Sequence, residues 1–309
     1  MKTTCLLLLL LISLFSIACT QTDSKAPLPA GERMKVVTTT SILGDAVQHI
    51  VGDVADVVSI MGSGVDPHLY KATQGDLQKL TDADVVVYNG LHLEGKMGEV
   101  MKKLGRQKTI VTATAGIPEA SLRQSPQFQG SHDPHVWFDV ELWQQVAQHL
   151  SQELQRKDPA NAALYQQNTQ TYLQELEELD KWVTQQIQSI PEQQRILITA
   201  HDAFGYFGDA YGIQVRGLQG ISTVSEFGLQ DISSLVNFIV DNKVKAVFVE
   251  SSVSPKAIEA VVVGSEQKGH QLKIGGTLYS DALGEAGTPE GTFTGMVRHN
   301  VNTVVSSLK

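Results

Sequence analysis

One uninterrupted segment in the middle of the chain most restricts its possible folds. After Pro159, no glycine or proline occurs until Pro191. Asp158 is a residue type that caps helix N-termini, and proline suits the first helical position. Apolar residues recur at spacings of three, four and seven, which is typical of one buried helical face. These residues are Tyr165, Tyr172, Leu176, Leu179, Val183, Ile187 and Ile190. We therefore predict one helix over 158–190, about 45 Å long.

Strand-length apolar runs alternate with helix-like stretches on both sides of this segment. The runs lie at 35–40, 54–60, 84–88, 108–112, 195–200, 213–217, 245–249 and 271–275. The helix-like stretches lie at 41–51, 73–80, 94–104, 203–211, 228–241, 254–266 and 289–307. Such alternation predicts parallel sheets covered by helices. We predict an α/β fold with two lobes, 34–157 and 191–309, each a mainly parallel sheet flanked by helices. The long rigid helix joins them and should permit only modest relative movement.

The first residues have the pattern of an export signal. Lys2 precedes an apolar run that is too short for a transmembrane span, and the run ends at Ser16-Ile17-Ala18-Cys19. This ending resembles a bacterial lipobox, so we expect 1–18 to be a signal peptide and Cys19 to carry lipid. An ordinary secretory signal with an incidental cysteine is the alternative. Residues 19–33, which are polar and contain proline and glycine, then suit a flexible tether to a membrane.

The net negative charge argues against nucleic acid as a partner. The formal net charge is −9, and a protein that binds phosphate backbones needs a basic face. Nucleic acid is therefore excluded as the expected partner. The apolar fraction of 42 % is ordinary for a globular protein with a real core.

Three histidines share a local context that points to a metal site. The tripeptide Asp-Pro-His occurs at 66–68 and again at 133–135, and His201 directly follows a predicted strand. Proline fixes φ and therefore pre-shapes the turn that carries the imidazole. Open parallel sheets bind ligands beyond the carboxyl ends of their strands, so His68, His135 and His201 should converge on the cleft between the lobes. Asp281, which follows the last predicted strand, is the candidate fourth ligand.

Three imidazoles and one carboxylate suit zinc or manganese. Taken alone, Asp281 would be interpreted as a turn or cap residue, but the joint pattern favours a ligand. Four protein ligands leave no open position, which favours holding an ion over activating water on it. We therefore predict a protein that binds one Zn²⁺ or Mn²⁺ per chain and is not an enzyme. Nitrogen ligands hold zinc more tightly than manganese.

The same residues resemble a known family. The matching stretches are GVDPHLY (64–70), YNGLHLEGKMGEV (88–100), DPHVWFDVELW (133–143), TAHDAFGYF (199–207), GLQGIS (217–222), FVESS (248–252) and YSDALG (279–284). Across essentially the whole mature chain, the sequence is similar to the metal-specific solute-binding proteins of bacterial ABC importers, closest to the TroA type.

The resemblance implies a fold, a site and a function. It implies the metal-binding subclass of the periplasmic-binding-protein-like fold, with His68, His135, His201 and Asp281 as ligands. It further implies capture of zinc or manganese outside the cytoplasm and delivery to an ABC permease with its ATPase subunit, by a protein we expect to be monomeric. Manganese-selective members often have glutamate where His201 stands, and zinc-specialised members usually carry a long histidine-rich loop. This chain has neither, so the choice between zinc and manganese, or iron, stays open.

Other residues have weaker assignments. Glu250, at the end of a predicted strand, could accept a hydrogen bond from a ligand imidazole, or it could cap a turn. We interpret His132 as a solvated loop residue and His92 as the start of a helix. A zinc hydrolase is a competing function, but the chain lacks the His-Glu-x-x-His and Gly-x-Ser-x-Gly motifs. A surface adhesin with a structural metal also stays open.

Overall fold

The computed structural model describes residues 32–125 and 130–309. The predicted signal peptide, Cys19 and the tether up to residue 31 lie outside these residues. Within the described ranges, no helix is both long enough and apolar enough to cross a membrane.

The first lobe is built on a four-stranded parallel sheet. Its elements are β1 Met34–Thr40, α1 Ser41–Val51, β2 Ala55–Met61, α2 Gln74–Asp82, β3 Val85–Tyr88, α3 Met97–Leu104, β4 Thr109–Thr112 and α4 Val140–Lys157. The strand order is β2-β1-β3-β4, with Met34 opposite Ala55 and Val85 opposite Thr109. Every pair is parallel, so the carboxyl ends of the strands share one edge.

Polar residues at the helix starts fix where these helices begin. Thr40 accepts the backbone N–H of Leu43, and Thr73 and Asp76 form a reciprocal capping box. Asp139 accepts from the first turn of α4, an 18-residue helix that the strand–helix pattern did not predict. Its signal was the Asp139 cap followed by buried apolar residues at helical spacing. Those residues include Leu142, Val146, Leu150 and Leu154.

The second lobe contains two parallel strand pairs. Its elements are β5 Ile196–His201, α6 Gly205–Tyr211, β6 Gln214–Gln219, α7 Leu229–Asp241, β7 Ala246–Glu250, α8 Lys256–Gln267, β8 Lys273–Leu278 and α9 Phe293–Leu308. The hydrogen-bonded pairs are β5–β6 and β7–β8, and they meet where β5 contacts β7. The carboxyl ends of β5 and β7 place His201 and Glu250 next to each other.

The long connecting helix, α5, spans Ala162–Gln188 and is about 40 Å long. It is shorter at both ends than predicted: Pro159–Asn161 forms a separate 3₁₀ turn before it, and Ser189 is its C-cap. The Asp158 carboxylate accepts from the Tyr165 hydroxyl at 2.6 Å and from the Asn161 amide at 2.8 Å instead of capping the backbone.

One apolar core runs through both lobes. The buried face of α5 contacts α1 and α4 of the first lobe, and α6 and α9 of the second. Residues from both lobes therefore belong to the same buried cluster. Pulling the lobes apart would expose this shared apolar surface, which disfavours wide opening. The division into 34–157, 158–190 and 191–309 remains a prediction.

Candidate metal centre

The structure brings the four predicted ligands together between the lobes. His68 and His135 lie in turns of the first lobe, His201 is the last residue of β5, and Asp281 follows β8. One donor atom from each lies within 4.8 Å of the others, and all four side chains are buried. Each lobe therefore contributes two residues to one compact cluster.

The donor atoms point at a common centre. Nε2 of His68 lies 3.3 Å from Nε2 of His135. The two Asp281 oxygens lie 3.4 Å from Nε2 of His135 and 3.4 Å from Nε2 of His201. Nε2 of His201 and Oδ1 of Asp281 are buried and have no hydrogen-bond partner. Buried polar atoms are almost always paired, so two unpaired atoms facing one point fit an ion-binding cavity. Three imidazoles and a carboxylate form a donor set that zinc or a larger divalent ion accepts.

The two Asp-Pro-His tripeptides fold in the same way. In each, the aspartate Oδ1 accepts the histidine backbone N–H, at 2.8 Å for Asp66 and His68 and at 3.0 Å for Asp133 and His135. The remaining contacts of the two aspartates differ. Asp133 faces Nδ1 of its own histidine at 2.8 Å, whereas Asp66 accepts the hydroxyl of Thr223 at 2.6 Å. One carboxylate therefore orients a ring, and the other links the two lobes.

Glu250 holds His201 in a comparable way. Its Oε1 accepts the backbone N–H of His201 at 2.9 Å, and its Oε2 lies 2.5 Å from Nδ1 of the same residue. Both side chains are buried. A carboxylate on the far nitrogen directs Nε2 towards the centre and makes the imidazole a better electron-pair donor. Of the two roles considered for Glu250, contact with a candidate ligand fits this geometry.

Burial and neighbouring charges shift the pKa values of the three histidines in different directions. Burial lowers the pKa of His68 to about 3, despite the opposing attraction of Asp281. Burial would also lower the pKa of His135, but Asp133 and Asp281 raise it to about 9. The pKa of His201 is raised well above its ordinary value, because Glu250 and Asp281 outweigh burial. Without metal, protons therefore reside on His135 and His201, and His68 is neutral.

The charge of Asp281 follows from the same contacts. Burial alone would raise the pKa of its carboxyl, but His201 and His135 hold that pKa well below its usual range. Ser252 adds a long hydrogen bond of 3.4 Å to Oδ2. Asp281 is therefore an anion that is available to a cation at any physiological pH.

Further contacts between the lobes surround the centre. Trp137 donates from Nε1 to the carbonyl of Ser280 at 3.0 Å. The hydroxyl of Tyr206 donates to the carbonyl of Asp133 at 3.0 Å, and Arg123 forms an ion pair with Asp209. The roles of Tyr206 and Arg123 were not predicted, because their partners lie more than 70 positions away along the chain.

The other histidines considered lie outside the cluster. His132 is half-buried in a loop and contacts the side chain of Gln124. The expectation that His92 starts a helix was wrong. It is exposed in a turn with a left-handed φ of 67°, and α3 begins only at Met97. His49 lies in α1, stacks on Tyr172 of α5 and is not part of the metal cluster.

Comparison with known proteins gives the chain its family. The family model of ZnuA, the periplasmic component A of the zinc-uptake complex, matches residues 36–307. The chain belongs to this family. Within the ZnuA family, it is 49 % identical over 300 residues to the manganese-binding lipoprotein MntA of Bacillus subtilis, covering 97 % of each chain. It is 46 % identical over 273 residues to the zinc-binding protein TroA of Treponema pallidum, covering 88 % of each.

A solved structure supports the same assignment. The periplasmic zinc-binding protein TroA from Treponema pallidum superposes with a TM-score of 0.87 at 45 % identity, covering 90 % of this chain and 99 % of that one. The predicted resemblance to metal-specific solute-binding proteins is therefore confirmed. The predicted fold of two α/β lobes joined by a long helix is confirmed as well.

Proposed function

We propose that this protein captures one divalent transition-metal ion outside the cytoplasm and delivers it to an ABC-type importer. His68, His135, His201 and Asp281 hold the ion. One observation carries the proposal: four donor atoms from two lobes converge within 4.8 Å in a buried site. Membership of the ZnuA family supports the transport role.

The cargo is zinc or manganese. The relatives include one named for manganese and one named for zinc, at similar identity. Imidazole-rich sites hold zinc more tightly than manganese, so the site should bind mainly zinc when both ions are present at equal concentrations. The two oxygens of Asp281 face different histidines, which lets the site supply either one or two carboxylate donors. Supply outside the cell then decides which ion is carried.

The role of the site is binding, without catalysis. Four protein donors surround the centre, and catalytic zinc sites keep a position free for water or substrate. The carboxylates beside the ligands, Asp133 and Glu250, contact the histidine Nδ1 atoms. They orient ligands and are not placed to take a proton from a metal-bound water.

Export and anchoring complete the proposal. Cleavage before Cys19 would leave this thiol as the only cysteine of the mature chain, ready to carry lipid. Residues 20–33 would then tether the two lobes to a membrane beside the permease and its ATPase subunit. Relatives such as MntA are named lipoproteins, which supports this arrangement.

The test is metal content together with calorimetric titration of the mature protein. We expect one zinc or manganese ion per chain in the wild type, and loss of high-affinity binding in His68→Ala and Asp281→Ala. His270→Ala is the matched control, because His270 contacts the carbonyl of Val244 at 2.7 Å and is not part of the metal cluster. Unchanged stoichiometry and affinity in the first two variants would contradict the ligand assignment.

A further inference from the structure

The turn at residues 89–95 has an unusual backbone. Gly90, Leu91 and His92 follow one another with φ values of 88°, 51° and 67°. Left-handed conformations are disfavoured for residues with a Cβ, so two of them in succession require support from their surroundings. Such strained backbone persists only where contacts with the rest of the structure hold it in place.

A buried carboxylate supplies the support. Glu94 accepts the backbone N–H of Asn89, the N–H of Gly90 at 3.2 Å and the hydroxyl of Thr39 at 2.8 Å. Its side chain is buried, so these hydrogen bonds are not exchanged with water. The turn is thereby fixed to the end of β1, in the same lobe as His68 and His135.

This turn contacts the backbone beside both first-lobe histidines of the centre. Asn89 donates from Nδ2 to the carbonyl of Pro134 at 3.0 Å, directly before His135. Gly95, with a φ of 45°, packs against His68 so closely that a Cβ there would lie 2.7 Å from the His68 carbonyl oxygen. One fixed turn therefore touches both Asp-Pro-His turns, one through a hydrogen bond and the other through close packing.

We propose that the 89–95 turn sets the separation of His68 and His135 and thereby determines the affinity and geometry of the metal site. Asn89 and Gly95 are its positioning residues, and neither touches the ion. The inference rests on the proposed function, because it assigns these residues to the same centre. Zinc favours a tetrahedral arrangement, whereas manganese suits oxygen ligands and water. Moving one imidazole should therefore weaken zinc binding more than manganese binding.

Gly95→Ala tests the close contact. The added methyl group should displace His68 and weaken zinc binding about tenfold to a hundredfold, the range seen for groups that orient ligands. The matched control is Gly269→Ala, since Gly269 also has a left-handed φ, 77°, but a Cβ there would meet no atom within 4 Å. Both variants should lose thermal stability through backbone strain, but only Gly95→Ala should lose affinity.

Asn89→Ala tests the hydrogen bond from Asn89 to the carbonyl of Pro134. It also tests the positioning role of the turn if Gly95→Ala does not fold. Its control is Asn168→Ala, which removes a similar bond of 3.0 Å to the carbonyl of Ile50, away from the centre. We expect Asn89→Ala to lower the ratio of zinc affinity to manganese affinity. The visible spectrum of the cobalt-substituted protein should also change, because its band intensities report coordination geometry. The control should keep the wild-type ratio and spectrum.

The outcomes separate this inference from the proposed function. If wild-type protein binds no zinc, or if His68→Ala binds it normally, the proposed function is wrong. If wild type binds one zinc ion and His68→Ala does not, but folded Gly95→Ala and Asn89→Ala match the wild type in affinity, metal ratio and cobalt spectrum, the inference is wrong. Weaker zinc binding and an altered spectrum in either variant, with unchanged controls, support it.

Discussion

Oδ1 of Asp133 lies 2.8 Å from Nδ1 of His135 and also accepts the backbone N–H of His135 at 3.0 Å. One carboxylate oxygen therefore fixes both the turn and the ring of a candidate ligand. Asp66 makes the same backbone bond to His68 but has no such contact with the His68 ring. This difference allows the contribution of ring orientation to be measured separately from that of the turn.

Asp133→Asn should weaken metal binding about tenfold to a hundredfold. The amide oxygen can still accept the backbone N–H, but the negative charge that raises the pKa of His135 is lost. Asp66→Asn is the matched control and should have a smaller effect. Competition titration with a chromogenic chelator measures both. Equal losses in the two variants would contradict a special role for the contact between Asp133 and the His135 ring.

Metal binding should release protons at neutral pH. In the metal-free protein the pKa of His135 is about 9 and that of His201 is raised well above its ordinary value, so both are protonated near pH 7. Coordination requires neutral imidazoles, and about two protons should leave per ion. Calorimetry in buffers of different ionisation enthalpy gives this number directly. Binding heats that do not depend on the buffer would contradict the assigned protonation.

The stability of the metal-free protein should depend on pH with a defined sign. The pKa of His135 is raised to about 9 in the folded state, so protonated His135 stabilises the fold. This contribution to the free energy of unfolding is fully present below pH about 6.5 and is lost as the pH rises through about 9. His201 acts in the same direction. The lowered pKa of His68 acts differently, destabilising the fold as pH falls from about 6.5 towards about 3.

Melting temperatures of metal-free wild type and His135→Gln, measured from about pH 6 to 9, test this sign. The wild type should lose stability relative to the variant as pH rises. A wild-type advantage that grew with pH would contradict the assignment of a raised pKa to His135.

Thr223→Val should speed metal release. The hydroxyl of Thr223 donates to Asp66 across the two lobes at 2.6 Å, and valine keeps the shape but leaves the Asp66 oxygen unpaired. A lost bond to a carboxylate costs about 1.5–3 kcal/mol, so release should be faster by roughly tenfold or more. Stopped-flow mixing with excess chelator measures the rate. Thr288→Val, whose hydroxyl bonds within its own lobe, should release at the wild-type rate. Identical rates for both variants would exclude a role for this contact.

The sequence predicted the strands and the candidate ligands because local signals specify them. Strands β1 to β8 follow the apolar runs closely, and proline and aspartate pre-shape the turns of His68 and His135. The predicted resemblance rested on the same turn segments. Features that depend on residues close in sequence could therefore be predicted from the sequence.

The remaining features depend on distant contacts. The Glu94 carboxylate pulls residues 89–92 into a turn, which is why the helix expected from residue 94 begins at Met97. Tyr206 and Arg123 acquire their roles only when the second lobe packs against the first. Helix α5 starts later than predicted because the Asp158 carboxylate accepts a hydrogen bond from the Tyr165 side chain instead of capping the backbone. None of these partners can be identified from spacing alone.

We expect one ion to bind between the lobes, on three histidines and one aspartate. Anomalous diffraction from crystals of the zinc-loaded protein, collected on both sides of the zinc edge, tests it most directly. We predict one strong peak per chain, about 2.0–2.2 Å from Nε2 of His68, His135 and His201 and from an oxygen of Asp281. A principal peak elsewhere, for example beside His92 or His132, or a peak that lacks any of these four ligands, would contradict it.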